Sequence, residues 1–363
     1  MTRPFDPASP LSPGFLGAVG ETLEVFLAEK TPLLEAVGAT DLLPVAHEYV
    51  SAGKRLRPAF CYWGHVAAGG QPDDDAALLA VASSLDLLHC SALVHDDLID
   101  AADTRRGLPA AHRRLEALHA ERGGRGSATE FGASSAILLG DLLLMWSIEL
   151  ADGSGADRLD AARPLLAAMR AEVTAGQYLD VSAQYGVTGA SGYSAELDVA
   201  RRVLEYKSAS YSVRRPAQVG AALGGAGDEL LDALGSFGSL IGRAFQLRDD
   251  LLGVYGDPAV TGKPYGGDIH EGKRTVLVLT ALASADPADA AELDDLLGAP
   301  GLSDGHVDRA AALIEASGAR AHAEELIDDG ATRALAVLAA APMTEEGRTA
   351  LARLAEMSVR RAS

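Results

Sequence analysis

Four carboxylates and two arginines fall within the thirteen residues HDDLIDAADTRRG, which follow directly on an apolar run. Asp96 and Asp100 are four residues apart, so in a helix they share one face, with Asp97 about 100° round from Asp96. Carboxylates this close repel one another, and protonation, solvent or cations relieve the repulsion. Such an oxygen-rich cluster suits a hard cation such as Mg²⁺, although a solvated helix end would show the same pattern.

A second acidic pair, Asp249 and Asp250, occupies a similar apolar setting later in the chain. Both clusters are followed by cations, which are Arg105 and Arg106 after the first and Lys263 and Lys273 after the second. Carboxylates, magnesium ions and nearby Arg or Lys side chains are the groups with which proteins hold a diphosphate. The two clusters together therefore predict a metal–diphosphate site.

Lysines are scarce in this chain, which has 31 lysines and arginines but only five lysines. Four of the five lie in short segments that also carry other polar groups. The segments with a lysine are GKRLRP (Lys54 and Arg57), EYKSASYS (Lys207 and Ser208) and the stretches around Lys263 and Lys273. Two further polar segments have no lysine, and they are AGQYLD (Gln177 and Asp180) and AFQLRDD (Gln246 and Asp249). Each segment alone is weak evidence, but a random placement would not concentrate the lysines in this way.

The elements that must position these residues are predicted to be helices. Hydrophobic residues make up 48% of the chain and aromatic residues only 5%, which favours helices over a sheet. Apolar residues recur at helical spacing over 15–50, 75–100, 132–151, 158–186, 195–222, 228–256 and the tail from 275. The sequence predicts an extended Pro-rich segment over 1–14, followed by one all-α domain of ten or more helices over 15–363.

Composition also excludes several classes of function. The net charge of −20 argues against nucleic acid as a partner. The two cysteines, Cys61 and Cys90, lack metal-type spacing and indicate a reduced, cytoplasmic compartment. The N-terminus has no apolar signal-peptide core, and the best candidate for a membrane span is cut by Asp141, so no span is expected.

In this order, the motifs resemble those of the (E)-polyprenyl diphosphate synthases, the trans-prenyltransferases. The resemblance covers roughly residues 20 to 300. Its motifs are the aspartate-rich DDLID with two arginines behind it, GKRLRP, GQYLD, the Lys-Ser pair in place of Lys-Thr, FQLRDD, and the GKP and GK lysines. The resemblance implies a type I isoprenoid synthase helical bundle around a central cavity, a homodimer, and three Mg²⁺ ions per active site.

The resemblance also implies a role for each motif residue. The metal ligands would be Asp96, Asp97, Asp100, Asp180, Asp249 and Asp250. Lys207, Lys263 and Arg105 would grip an allylic diphosphate (dimethylallyl, geranyl or farnesyl), with Gln177 and Lys273 also binding substrate, and Lys54, Arg57, His89 and Arg106 would hold isopentenyl diphosphate. Ser208 and Gln246 would stabilise a carbocation by their dipoles. Gly253 departs from the family pattern, because the second motif usually has a third aspartate there.

Chain length in the family depends on the side chains that close the cavity. Ser91 and Ala92 lie about one turn before Asp96, and both are small. The resemblance then implies geranylgeranyl diphosphate (C20) or a longer all-trans product. Leu88 and Leu85, or Met145 and Trp146 on a following helix, are the candidates for the floor of the cavity.

Two alternatives share features with this interpretation. A class I terpene cyclase shares the fold and the first motif, but it has no use for the isopentenyl site implied by Lys54, Arg57 and Arg106. A non-catalytic subunit of a heteromeric synthase would be expected to lose acidic ligands, and only Gly253 points that way.

Overall fold

The structure is a computed structural model of the 363-residue chain, and it describes residues 5–70, 75–256 and 265–360. Its helices, in chain order, are α1 Pro13–Val37, α2 Leu42–Ser51, α3 Leu56–Ala67, α4 Asp75–Ile99, α5 Ala111–Glu121, α6 Ala128–Asp152, α7 Leu159–Gln184, α8 Tyr193–Val203, a π-helical segment Leu204–Arg214, α9 Arg215–Leu223, α10 Asp228–Tyr255, α11 Gly267–His270, α12 Val276–Ser284, α13 Pro287–Leu296, α14 Asp304–Ala316, α15 Ala319–Ala340 and α16 Glu345–Val359. The all-α prediction is confirmed.

Helix α4 is the central element of the first half of the bundle. It packs most extensively against α6 and also against α1 and α3. Its apolar residues join one continuous buried cluster that extends from α1 to α16. The helix ends at Ile99, and Ala101 directly afterwards adopts a left-handed backbone with φ 51°. The acidic cluster therefore stands at the end of a core helix, as the apolar run before it predicts.

Helix α7, the π-helical segment and α10 form the second half of the bundle. The π-helical segment packs against both α7 and α10. Gly176 permits the close approach of α7, because a Cβ atom there would lie 2.4 Å from the backbone N of Lys207. The turns of a π-helix are wider than those of an α-helix, and they are rare in proteins and occur mostly at functional sites. Here the wide turns carry Lys207 and Ser208.

A short hairpin follows α4, whereas the sequence predicts no strand. Strands β1 Thr104–Arg105 and β2 Leu108–Pro109 are antiparallel, with Arg105 opposite Leu108. Arg106 and Gly107 make the turn with φ 53° and 78°, which is the left-handed pair of a type I′ turn. The hairpin therefore fixes the backbone of both arginines that follow the acidic cluster.

The sequence predicts an extended N-terminal segment, but the described part of it runs through turns into α1. Phe5 packs edge-to-face against Phe15 and Tyr62, with ring centroids 5.3 and 5.2 Å away. The segment is therefore attached to the bundle core.

In the part of the chain that the structure describes, two helices are long and apolar enough to cross a membrane by length and composition alone, although the sequence predicts no span. The window in α4 is mostly buried, as in the core helix of any bundle, whereas less than half of the window in α6 is buried. Asp141 interrupts the apolar run of α6 without removing its exposed apolar face.

Candidate active site

A cavity of about 1100 Å³ lies between the two halves of the bundle, and it collects most of the predicted site residues. Its walls come from the segment before α3, from α4, the hairpin, α7, α8, the π-helical segment, α10, α11 and α12. The predicted residues that line it are Lys54, Arg57, His89, Ala92, Asp96, Asp100, Arg105, Arg106, Gln177, Asp180, Lys207, Ser208, Gln246, Asp249, Asp250 and Lys273. Lys263 lies outside the described residues.

Lys207 joins two of the acidic groups at the cavity wall. Its Nζ atom lies 2.6 Å from Asp180 Oδ2 and 3.2 Å from Asp96 Oδ1. Gln177 Nε2 donates to the same Asp96 oxygen at 2.8 Å. Burial opposes the charged amine, yet the carboxylates of Asp96 and Asp180 hold the pKa of Lys207 above its usual value. The residues of the GQYLD and Lys-Ser motifs are therefore arranged around the first carboxylate of the acidic cluster.

Asp100 occupies the next turn of the same helix face, as its spacing from Asp96 predicts. Lys273 Nζ lies 3.4 Å from Asp100 Oδ2 and 2.5 Å from Glu271 Oε2. Burial and the neighbouring Asp96 carboxylate raise the pKa of Asp100. Burial also raises the pKa of Asp96, but Lys207 and Lys273 outweigh it and lower that pKa. The two carboxylates compete for the same cations, as like charges on one helix face must.

The second acidic pair lies on α10 and lines the same cavity. Gln246 donates from Nε2 to Asp250 Oδ1 at 2.8 Å, so it orients a carboxylate in this structure. Asp250 is buried, whereas Asp249 is more open to the cavity. The dipole role predicted for Gln246 therefore competes with its bond to Asp250.

The donor set fits a magnesium ion. Over the described ranges, no three His, Cys, Asp or Glu side chains converge on a point where they could hold a metal by themselves. Mg²⁺ is usually bound by one or two carboxylates, while phosphate oxygens and waters complete its shell. The separate carboxylates of α4 and α10, with cations beside them, match such an ion better than a site built entirely from protein ligands. Asp96, Asp100 and Asp249 are the residues that would hold it.

A second group of cations surrounds His89 elsewhere on the cavity wall. Arg57 stacks on the ring of Tyr211, with Cζ 4.2 Å from its centroid, and donates to Ser212 Oγ at 2.8 Å. His89 Nδ1 is 3.3 Å from the Tyr211 hydroxyl. Burial, and then the charge of Arg57 and of Arg106, lower the pKa of His89 well below its usual value. His89 is therefore a neutral hydrogen-bonding group among arginines, suited to an anionic ligand.

The sequence gives no indication of the Arg55–Asp86 pair, which also lines the cavity. Arg55 donates from Nη1 to Asp86 Oδ2 at 2.7 Å, and both side chains are buried. Arg55 sits in the left-handed region at φ 54°, between the two predicted cations Lys54 and Arg57. No short-range pattern links it to Asp86, because the two residues are 31 positions apart.

The prediction that Asp97 binds metal is not supported by its position. Its side chain is fully buried and does not line the cavity. Tyr49 donates its hydroxyl to Asp97 Oδ2 at 2.8 Å, and Arg105 donates from Nε to Oδ1 at 2.7 Å and also from Nη2. The turn of 100° that separates Asp97 from Asp96 directs it into the protein. Asp97 anchors Arg105 of the hairpin instead.

The predicted floor of the cavity is only partly supported. Ala92 lines the cavity, but Ser91 and Leu88 are buried elsewhere on α4 and do not line it, and neither does Leu85. Met145 is exposed, and Trp146 packs edge-to-face against Phe26, 6.4 Å between ring centroids. The apolar wall comes from Leu93 of α4 and from residues of other elements, which are Val173, Val199, Val203, Leu204, Phe245, Val276 and Leu279.

A helical bundle around one cavity with acidic and basic walls is the architecture that the motif resemblance implies. The profile of the polyprenyl synthetase family matches residues 40–314. The chain belongs to this family, and the predicted prenyltransferase activity is confirmed at that level.

Individual relatives agree with the assignment. A geranylgeranyl pyrophosphate synthase from Corynebacterium glutamicum, complexed with isoprenyl diphosphate and magnesium, aligns with a TM-score of 0.90 and 36% identity over 96% of this chain and 98% of that one. A short chain isoprenyl diphosphate synthase from Methanothermobacter thermautotrophicus is 32% identical over 69% of this chain and 70% of its own. A nonaprenyl diphosphate synthase from Mycobacterium tuberculosis is 31% identical over 87% of this chain and 85% of its own.

Asp97→Asn tests the role of that residue. We expect the variant to lose about 3–5 kcal/mol of unfolding free energy in urea, because Arg105 keeps its charge without its buried partner. The Mg²⁺ concentration for half-maximal activity should not change in the protein that folds, whereas Asp96→Asn should raise it. A stable Asp97→Asn variant with a raised Mg²⁺ requirement would restore the original prediction.

Proposed function

We propose that this chain is a Mg²⁺-dependent, chain-elongating synthase that condenses isopentenyl diphosphate with an allylic diphosphate. The observation that carries the proposal is that one cavity holds two groups of cations. Lys207, Lys273 and Arg105 accompany the carboxylates, while Arg57 and Arg106 lie close enough to His89 to lower its pKa, and Lys54 lines the same cavity. Two anion-binding groups beside one apolar wall fit two diphosphate substrates with hydrocarbon tails.

The residues of the cavity account for each step of such a reaction. Lys207 and Arg105 stabilise the negative charge that grows on the leaving diphosphate as the allylic C–O bond breaks. When bound, Mg²⁺ supplies further charge at the same oxygens. The isopentenyl double bond then attacks the allylic carbocation, with Ser208 nearby in the wall. The departing diphosphate accepts the proton that is lost, so no side-chain base is needed, and the apolar wall excludes water.

The alternatives from the sequence are less well supported. A terpene cyclase binds a single diphosphate substrate, which would leave the group around His89 without a function. A non-catalytic subunit would not need a cavity that retains Asp96, Asp100, Asp249 and Asp250 in its wall.

An activity assay separates the three alternatives. The purified chain is incubated with farnesyl diphosphate and Mg²⁺, with and without isopentenyl diphosphate, and the dephosphorylated products are chromatographed. We expect prenyl alcohols only when both substrates and Mg²⁺ are present, and a kcat about 10²–10³ lower for Lys207→Ala. Hydrocarbons formed without isopentenyl diphosphate would indicate a cyclase, and no turnover would indicate a non-catalytic subunit.

We propose geranylgeranyl diphosphate or a longer homologue as the product. The names of the relatives extend from short chain to nonaprenyl products, so family membership alone does not set the length. Ala92 supports a long product, because a small side chain one turn below Asp96 leaves room for a growing tail.

Ala92→Phe should shift the product spectrum to shorter chains, since its ring would project into the cavity. Ser91→Phe is the matched control, because Ser91 does not line the cavity. We expect this control to lower stability by overpacking without shortening the product. An unchanged spectrum for Ala92→Phe, measured on the dephosphorylated alcohols, would contradict the proposed tail path.

We propose that the chain is a homodimer whose interface includes the exposed face of α6. Phe131, Leu138 and Met145 recur every seven residues on that face, and Ile137 and Ile148 are also exposed. Light scattering should give twice the 37.5 kDa chain mass. Leu138→Lys should halve that mass, whereas Val37→Lys, at an exposed position on α1, should not. A monomeric wild type would contradict the proposal.

A further inference from the structure

The π-helical segment that carries Lys207 and Ser208 is attached to α7 by a group of polar side chains outside the cavity. Glu172 of α7 accepts hydrogen bonds from Ser210 Oγ and from Arg215, whose Nε atom lies 2.9 Å from Glu172 Oε2. These three side chains do not line the cavity, and Ser210 is fully buried. Burial raises the pKa of Glu172, but the hydrogen bonds from Arg215 and Ser210 outweigh it and lower that pKa. Glu172 is therefore an ionised carboxylate behind the wall that carries Lys207.

The face of α7 that meets this segment has a regular spacing. Glu172, Gly176 and Asp180 follow one another at intervals of four, so they share one face of the helix. Glu172 contacts Ser210 at one end of this face. Further along, the backbone N of Lys207 lies 2.4 Å from the position of a Cβ atom on Gly176, and the Lys207 ammonium lies 2.6 Å from Asp180 Oδ2. The contact at Glu172 therefore sets the distance between helix and segment over which Lys207 reaches its partner.

The opposite side of the segment is attached to α10. Glu205 is buried and accepts hydrogen bonds from Ser239 Oγ at 2.8 Å and from Arg243 Nε at 2.6 Å. These bonds fix the segment to α10, but the carboxylates that Lys207 contacts belong to α4 and α7. The position of the segment relative to α7 therefore depends on Glu172.

We propose that Glu172 is a positioning residue, which holds the π-helical segment against α7 so that the Lys207 ammonium meets Asp96 and Asp180. The carboxylate acts through Lys207, because it lies behind the wall of the cavity and not in it. A displacement of about 1 Å in a reacting group can cost about 10²-fold in rate. This inference rests on the proposed function, in which Lys207 stabilises the charge that grows on the leaving diphosphate.

A purely structural role for Glu172 makes a different prediction. If the carboxylate only stabilised the bundle, its loss would lower the melting temperature and would change kcat by the same factor with and without the Lys207 side chain. A residue that acts through another gives a non-additive effect, which a double-mutant cycle measures. The cycle of Glu172→Gln with Lys207→Ala therefore separates the two roles.

Three single changes make up the experiment together with Lys207→Ala. Glu172→Gln keeps the size of the side chain, but it removes the charge and turns one of two acceptor atoms into a donor. Ser210→Ala is milder, because it leaves the bonds from Arg215 in place. Glu292→Gln is the matched control, since Glu292 also accepts two hydrogen bonds from one arginine, Arg309, at 2.8 and 2.6 Å, and does not line the cavity.

We expect Glu172→Gln to lower kcat about 10- to 100-fold in the two-substrate assay, because Lys207 is misplaced. The KM for isopentenyl diphosphate should stay close to that of the wild type. Ser210→Ala should lower kcat less, and Glu292→Gln should match the wild type. In the Lys207→Ala background, Glu172→Gln should cause little further loss, because the group through which it acts is already absent.

An equal loss of kcat in both backgrounds, or a wild-type kcat in Glu172→Gln, would overturn the inference. If Glu172→Gln does not fold, Ser210→Ala takes its place in the cycle with Lys207→Ala and is judged by the same criterion. A wild type without turnover in the presence of both substrates and Mg²⁺ would instead overturn the proposed function.

Discussion

The constraint on which the structure depends is the electrostatic balance of carboxylates gathered at the wall of an apolar cavity. Asp96 and Asp100 face the same way on a core helix, and bringing them together is unfavourable without counter-charges. Lys207 and Lys273 supply those charges from the π-helical segment and from the segment before α12. Each lysine also contacts a second acid, Asp180 or Glu271. A metal-bound diphosphate that enters the cavity can therefore exchange partners with these carboxylates and cations.

Helix packing brings these charges together although the chain as a whole is strongly negative. A net charge of −20 repels anionic substrates on average, so the cations must be concentrated where the substrates bind. The close approach at Gly176 brings the π-helical segment against α7, and the hairpin turn at Arg106 and Gly107 fixes the arginines beside the cavity. The buried Asp97 then holds Arg105 from below. One of the acids that the sequence predicts as a metal ligand thus serves to position a cation.

Periodicity was sufficient to predict the helices and the shared face of Asp96 and Asp100, because both follow from local geometry. Periodicity was not sufficient where the direction of a side chain depends on the elements packed around its helix, or where two residues far apart in the sequence meet. Asp97 and Ser91 point away from the cavity because α4 is surrounded by partners that a single helix pattern does not reveal. Tertiary proximity brings together Arg55 and Asp86.

The central claim is that carboxylates from α4 and α10 act on one metal-bound diphosphate. Anomalous diffraction from crystals grown with Mn²⁺ and inorganic pyrophosphate tests it most directly. The account predicts manganese peaks inside the cavity, bridging pyrophosphate oxygens to Asp96 and Asp100 on one side and to Asp249 on the other. Pyrophosphate bound by arginines and lysines alone, or manganese found only on the outer surface, would contradict it.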